Sequence, residues 1–108
     1  MVKQGDIIKI NLNPTVGSEQ SGYRPAVVIT NDFTISKTNI ISICPITNST
    51  RKHALNVVLD EHIEIKGSIL CAHIKSVDLS TRPYKVVDQI SVEKMNEVLE
   101  IIFAMYDN

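Results

Sequence analysis

Between Asp6 and Asn13 apolar and polar residues alternate, with Ile8, Ile10 and Leu12 on one side and Lys9, Asn11 and Asn13 on the other. A period of two predicts a half-buried β-strand. Pro14 to Gly22 breaks the alternation with a proline, two glycines, serines and Gln20, and predicts a polar loop. Arg24 to Thr30 holds the unbroken apolar run Ala26-Val27-Val28-Ile29, which predicts a central strand covered on both faces. Asn39 to Ile46, with Ile40, Ile41, Ile43 and Cys44, predicts a third strand, followed by a polar, basic loop from Thr47 to His53. Leu55, Val57 and Leu59 alternate with Asn56, Val58 and Asp60 and predict a fourth. Gly67 punctuates, Ser68 to Ile74 predicts a fifth strand, and Tyr84 to Val87 a short sixth.

The period then changes from two to 3.6. Ser91 has the residue type of a helix N-cap. Val92, Met95, Val98 with Leu99, Ile102, and Met105 with Tyr106 form one stripe, and Glu93, Glu97 and Glu100 lie off it. This predicts an amphipathic C-terminal helix. The β-branched residues Ile, Val and Thr number 34 against 4 Ala and 6 Leu, a balance that favours strands. No internal repeat or linker interrupts the chain. Strands joined by short turns and closed by one helix predict a single domain over residues 1–108, of α+β class: a small antiparallel β-barrel with a C-terminal α-helix.

At 108 residues the chain has room for one modest core and no second domain. Its 44% apolar and 21% charged residues exclude an intrinsically disordered chain. No apolar run approaches the roughly 18 residues of a membrane-spanning helix. Met1 to Asp6 has no apolar core of the kind a signal peptide carries. Cys44 and Cys71 stand in separate apolar runs and read as small buried residues of a reduced, cytoplasmic protein, with no disulfide and no Cys/His spacing of a metal site. A net charge of −1 excludes a globally basic nucleic-acid binder but not a basic face. Residues 88–108 carry five acids and one base, net −4, whereas residues 1–87 carry ten bases and seven acids, net +3. Arg51, Lys52, Lys75, Arg82 and Lys85 are candidates for a phosphate-binding face, although such residues more often make a solvated surface. His53 and His62 have the surroundings of solvated side chains.

Gly-rich phosphate loops and the common hydrolase signatures are absent. The notable polar groups sit at strand ends and in loops. Arg24 opens a very apolar strand directly before Pro25, which buries its stem and aims its head at the loop rim. Alone, such an arginine is more often a structural donor to loop carbonyls than a functional group. Thr47, after Pro45-Ile46, is by itself most often a turn residue.

Together the pieces are more specific. Gly5-Asp6, then Asn13-Pro14-Thr15-Val16-Gly17-Ser18-Glu19-Gln20-Ser21-Gly22-Tyr23-Arg24-Pro25, then an apolar strand, resembles the opening of the MazF/PemK toxin family. Pro45-Ile46-Thr47, Ile74-Lys75-Ser76-Val77-Asp78 and the helix begun by Ser91 also have the family's places. The resemblance covers nearly the whole chain. It implies an SH3-like barrel with a C-terminal helix, a homodimer, and the toxin half of a type II toxin–antitoxin pair. Most such toxins are metal- and cofactor-independent endoribonucleases that cut single-stranded mRNA at short sequences. The family's functional arginine falls on Arg24, and its Thr or Ser after the third strand on Thr47. A carboxylate and a Gln that many relatives carry before the Lys75-Ser76-Val77-Asp78 segment are here Ala72 and His73. His73 is thus either a replacement proton acceptor or a strand residue that reads a base or braces a loop. Ser18, Glu19, Gln20, Asn48, Ser49, Lys75 and Ser76 are the candidate RNA contacts.

The resemblance also implies a cognate, MazE-like antitoxin whose acidic flexible tail occupies the basic RNA groove. Two other functions stay in view. Relatives with the same barrel poison DNA gyrase by protein contact, through the end of the last helix, and tend to lack the arginine–threonine pair. A non-toxic interaction barrel is the other, and the 5% aromatic content argues against a proline-peptide groove.

Overall fold

The structure is a computed structural model that describes residues 1–12 and 23–108. The chain enters the fold through a turn that the Gly5-Asp6 pair builds. Gly5 has φ +90°, a conformation costly for any side chain with a Cβ. Its N–H donates to the Val28 carbonyl at 2.8 Å, and its own carbonyl accepts from Ile90 N at 2.9 Å. Asp6 is almost fully buried, and its carboxylate accepts from Lys3 N at 2.9 Å.

Seven strands follow: β1 (Asp6–Asn11), β2 (Tyr23–Val28), β3 (Ile40–Thr47), β4 (Asn56–Val58), β5 (Ser68–Leu70), β6 (Lys75–Asp78) and β7 (Tyr84–Gln89). Helix α1 (Asp32–Ile35) lies between β2 and β3, and helix α2 (Val92–Tyr106) ends the chain. All pairings are antiparallel, in the order β4-β5-β3-β2-β1-β7, with β6 on β3. The fold is thus the expected antiparallel, barrel-like sheet plus C-terminal helix. Among the described residues the ladder does not close, since the end strands β4 and β7 are not paired to each other.

β3 pairs with β2 along one edge and with two strands in turn along the other. Ile40–Ile43 face β6, and Ile46–Thr47 face β5. Cys44 and Pro45 fall in the gap between those two ladders, where a proline without an N–H is tolerated. This arrangement corrects the single fifth strand expected over Ser68–Ile74. The chain leaves β5, makes one 3-10 turn over Cys71–His73, and resumes as β6. An apolar run cannot reveal that corner, because Cys71 is buried in the turn as fully as a strand residue would be.

Apolar residues divide between the two faces of the sheet. Val27, Cys44, Ile46, Ile69 and Cys71 pack with Met95, Val98 and Ile102 of α2. Ile8, Ile10, Ala26, Val28, Ile41 and Ile43 pack on the other face, with Ile35 of α1. β2 is therefore covered on both faces, as its continuous apolar run predicts. β1 is not half-buried as its alternation suggests, because Ile7 is also buried, on the α2 side. The fourth and sixth predicted strands correspond to β4 and β7, the former shorter and the latter longer than expected. The predicted loop at Pro14–Gly22 lies outside the described residues.

The ends of α2 follow local rules. Ser91 caps the helix, its hydroxyl oxygen accepting from Lys94 N at 3.2 Å. Met95, Val98 and Ile102 are buried, but Val92 and Tyr106 at the two ends of the predicted stripe are exposed. Helix α1 was hidden by its single turn. Its signal is Asn31, whose side chain accepts from Thr34 N at 2.8 Å, with Asp32 in the first turn.

Cys44 and Cys71, distant in sequence, become neighbours, with the Cys44 thiol 4.0 Å from the Cys71 carbonyl oxygen. Both are free and fully buried. Burial pushes the thiols up to about 12 and about 11 respectively, with the Cys71 charge adding to the effect on Cys44. Raised native values mean that the neutral thiols favour the fold below the unfolded value of about 8.5, and that this contribution is lost as pH rises through the native values. The folded protein is expected to resist a thiol-specific reagent at about pH 8 that labels both cysteines of the urea-unfolded chain. Equal labelling rates would show that these thiols are not buried in solution.

Candidate active site

Where β2 begins and β3 ends, the sheet opens into a cavity of about 900 Å³. Ligand sites typically enclose roughly 300–1,000 Å³. The β2–β3 register pairs Ala26 with Pro45, Val27 with Cys44 and Val28 with Ile43. Extended two residues past Ala26, it sets Arg24 across from Thr47. Both line the cavity. Arg24 itself pairs with Ile10 of β1, and the head of its side chain is exposed. Ile10 and Ala26 beside it are fully buried, so the arginine rises from the rim of a closed apolar layer.

Thr47 is the last residue of β3 and not the first of the loop. Its hydroxyl oxygen accepts a long hydrogen bond from Ser49 N at 3.4 Å. A hydroxyl has one hydrogen and two lone pairs, so the hydrogen remains available to a ligand oxygen. His73 reaches the cavity from the 3-10 turn, where it is exposed. That turn is what the sequence pattern missed, and it places His73 on the cavity wall together with Leu70 of β5.

Of the candidate RNA contacts, Asn48 lines the cavity. Ser49 stands behind the lining: its carbonyl accepts from Ser68 Oγ at 2.9 Å, and its hydroxyl oxygen accepts from Arg51 N at 3.2 Å. Lys75 and Ser76 are exposed on β6, paired with Ile43 and Ser42, and are not part of the described lining. Ser18, Glu19 and Gln20 lie outside the described residues. The expected basic face is likewise dispersed. Arg82 donates to the Asn11 carbonyl at 3.0 Å, and Arg51, Lys52, Lys75 and Lys85 are exposed away from the lining.

Two cations that the sequence reading did not single out do line the cavity, Lys9 of β1 and Lys66. With Arg24 they give the described lining three permanent positive charges and no carboxylate. Lys9 also stands directly opposite Lys85 of β7. Like charges at paired positions of neighbouring strands repel. Among the described residues neither lysine has an ion-pair partner, which suits a surface that meets an anion. Lys9 was legible only as an outward-facing strand residue, since its place beside Pro25 depends on register. Tyr23 adds a phenol ring to the apolar part of the lining, which Leu12, Pro25, Pro45, Ile46, Ile65 and Leu70 supply. No residue of the acidic helix α2 is in the described lining. Among the described residues no three His, Cys, Asp or Glu side chains converge as metal ligands would, and no helix is long and apolar enough to cross a membrane.

Comparison with known proteins gives the fold and the site a context. Residues 3–106 match the family described as the PemK-like, MazF-like toxins of type II toxin–antitoxin systems. The endoribonuclease EndoA of Bacillus subtilis is 31% identical over 118 aligned positions, covering 99% of this chain and 98% of that protein. The endoribonuclease PemK of Escherichia coli is 30% identical, covering 91% and 77%. Among solved structures, MazF of Deinococcus radiodurans superposes with a TM-score of 0.82 at 25% identity, covering 96% of this chain and 94% of that one. A MazE–MazF complex from the same organism gives 0.84 at 21% identity, covering 98% and 95%. With the match running almost from end to end, this chain belongs to the PemK/MazF family of type II toxin–antitoxin toxins.

Proposed function

We propose that this chain is an endoribonuclease toxin that cuts single-stranded mRNA in the cytoplasm without a metal ion. The observation that carries the reading is the meeting of Arg24 and Thr47 across the mouth of a cavity whose described charges are all positive. RNA supplies its own nucleophile, the 2′-OH beside the scissile phosphate. That hydroxyl loses its proton, its oxygen attacks phosphorus, and the bond from phosphorus to the 5′-oxygen breaks. The 5′-oxygen takes a proton. The products are a 2′,3′-cyclic phosphate and a 5′-OH. Charge builds on the phosphoryl oxygens in the transition state, and a guanidinium meets two of them in fork geometry. Arg24 is assigned that stabilisation, and Thr47 donates its hydroxyl hydrogen to the same phosphate.

An arginine is a poor base at neutral pH. Ala72, exposed beside His73, offers no carboxylate. His73 is the proton acceptor in this reading, because a neutral imidazole nitrogen suits transfer from a hydroxyl. Lys9 and Lys66 hold flanking phosphates, and Asn48 with Tyr23 contacts unpaired bases. The same cationic cavity suits the acidic, flexible tail of a cognate antitoxin, which would silence the toxin by occupying it. MazF of Deinococcus radiodurans is found in complex with MazE, and a homodimer of this chain is the proposed partner of such an antitoxin. One observation favours a second reading, a toxin that acts by protein contact: Phe103 and Tyr106 are exposed near the end of α2.

Purified protein is expected to cleave long single-stranded RNA in EDTA and to leave 5′-OH ends, while folded Arg24→Ala loses about 100-fold or more of the rate. Loss of activity in EDTA restored by a divalent cation would overturn the metal-free mechanism. Full activity of Arg24→Ala would overturn the site, and absence of cleavage by folded, antitoxin-free protein would favour the protein-contact reading.

For His73→Gln, a large fall in rate with a flattened pH profile near neutrality is the expected result. Altered cleavage sequence at an unchanged rate would make His73 a reader of bases instead.

Salt dependence tests the lysines. Each phosphate contact on single-stranded nucleic acid contributes about 0.7 to the slope of log affinity against log salt. Lys9→Ala is expected to flatten that slope by about this amount on a 2′-deoxy substrate analogue, and an unchanged slope would remove Lys9 from the RNA path.

A further inference from the structure

Thr47 acts in the proposed reaction only if its hydroxyl is aimed, and nothing in its own hydrogen bonding aims it firmly. Its one partner, Ser49 N, is 3.4 Å away, at the long end for a hydrogen bond. The restraint has to come from whatever fixes residues 47–49 from behind. Two residues at the start of β5 do this.

Gly67 has φ +133° and lies against the end of β3. A Cβ placed there would sit 1.8 Å from the Thr47 carbonyl oxygen, 2.8 Å from the Thr47 carbonyl carbon and 3.0 Å from Asn48 Cα. These are backbone atoms and cannot swing aside, so only glycine lets β5 approach so closely. The approach seats Ser68 in register with Thr47. Ser68 has no exposed surface and, with Asp6, is one of two buried polar residues in the described part of the chain. Its hydroxyl donates to the Ser49 carbonyl at 2.9 Å, so a buried donor holds the residue whose N–H meets Thr47 Oγ1.

We infer that Ser68, seated by Gly67, is a positioning residue for Thr47. It works through a relay of Ser68 O–H to the Ser49 carbonyl, then Ser49 N–H to the Thr47 hydroxyl oxygen. The relay occupies one lone pair of that oxygen and leaves its hydrogen directed at the substrate phosphate. The inference rests on the proposed role of Thr47. It adds a residue that touches no substrate yet sets the rate. Ångström-scale misplacement of a reacting group costs up to about 100-fold, so a partial loss of aim is expected to cost on the order of tenfold.

The test is a double-mutant cycle of cleavage kinetics with wild type, Ser68→Ala, Thr47→Ala and the double variant, each assayed well below its own melting temperature. Ser68→Ala is expected to lower kcat about tenfold with KM unchanged, and to cost nothing further in the Thr47→Ala background. Ser68→Cys, of similar volume and with a weak S–H donor, should recover part of the loss, and it replaces Ser68→Ala in the cycle if that variant does not fold. Equal losses in both backgrounds, or a lowered melting temperature with unchanged kcat, would overturn the positioning role and leave Thr47 in place. A Thr47→Ala variant as active as wild type would instead overturn the reading of Thr47 itself, and the relay with it.

Discussion

The structure depends on one strand carrying two neighbours in succession on the same edge. β3 gives its first half to β6 and its last two residues to β5, while β2 runs along its other side. This division leaves Cys44–Pro45 between the two ladders, and the chain passes from β5 to β6 through the 3-10 turn. It also brings three chemically useful residues to one place. Thr47 comes from the end of β3, Arg24 from the start of β2 beside it, and His73 from the turn. None of the three is adjacent in sequence, and their proximity is a product of register.

The core is arranged to leave that place rigid at its base and open at its mouth. Ile10 and Ala26 below Arg24 are fully buried, as is Ser68 behind Thr47, next to a buried Gly67. Rigid backing matters because a donor already held in position does not have to be ordered at the moment of reaction. The mouth, in contrast, tolerates electrostatic stress. Lys9, Arg24 and Lys66 surround one cavity, and Lys9 faces Lys85 across a strand pair. Such repulsion disfavours the free protein slightly and is relieved when an anion arrives. In the proposed function a polyanionic substrate and an acidic inhibitory tail exploit the same field.

The strand-rich fold, its C-terminal helix and the Ser91 cap were legible in the sequence because each has a short-range signature. The unbroken Ala26–Ile29 run gave away a strand covered on both faces. What could not be read came from pairing. The 3-10 turn is invisible because a buried corner and a buried strand are equally apolar at Cys71. The alternation of Asp6–Asn13 cannot show that Ile7 is buried, because the helix residues packed on that side come from the far end of the chain. Arg24 and Thr47 were legible through the family's motifs, whereas Lys9 and Lys66 entered the site only through three-dimensional proximity. The contact between Cys44 and Cys71, from separate strands, was likewise beyond any local pattern.

Ala72 and His73 show how a departure from the family pattern is to be weighed. A carboxylate at position 72 would place a negative charge on the turn beside a cavity whose described lining holds three cations, and would cancel part of the field that meets a phosphate. An imidazole changes that relation. It accepts a proton in its neutral form, so at position 73 it lines the cavity without bringing in a negative charge. In the proposed reaction proton acceptance thereby passes to a group that is neutral before the transfer and positive after it. In that reaction Lys9 and Lys66 then keep their full attraction for the flanking phosphates, so phosphate binding and proton transfer share one cavity without opposing one another.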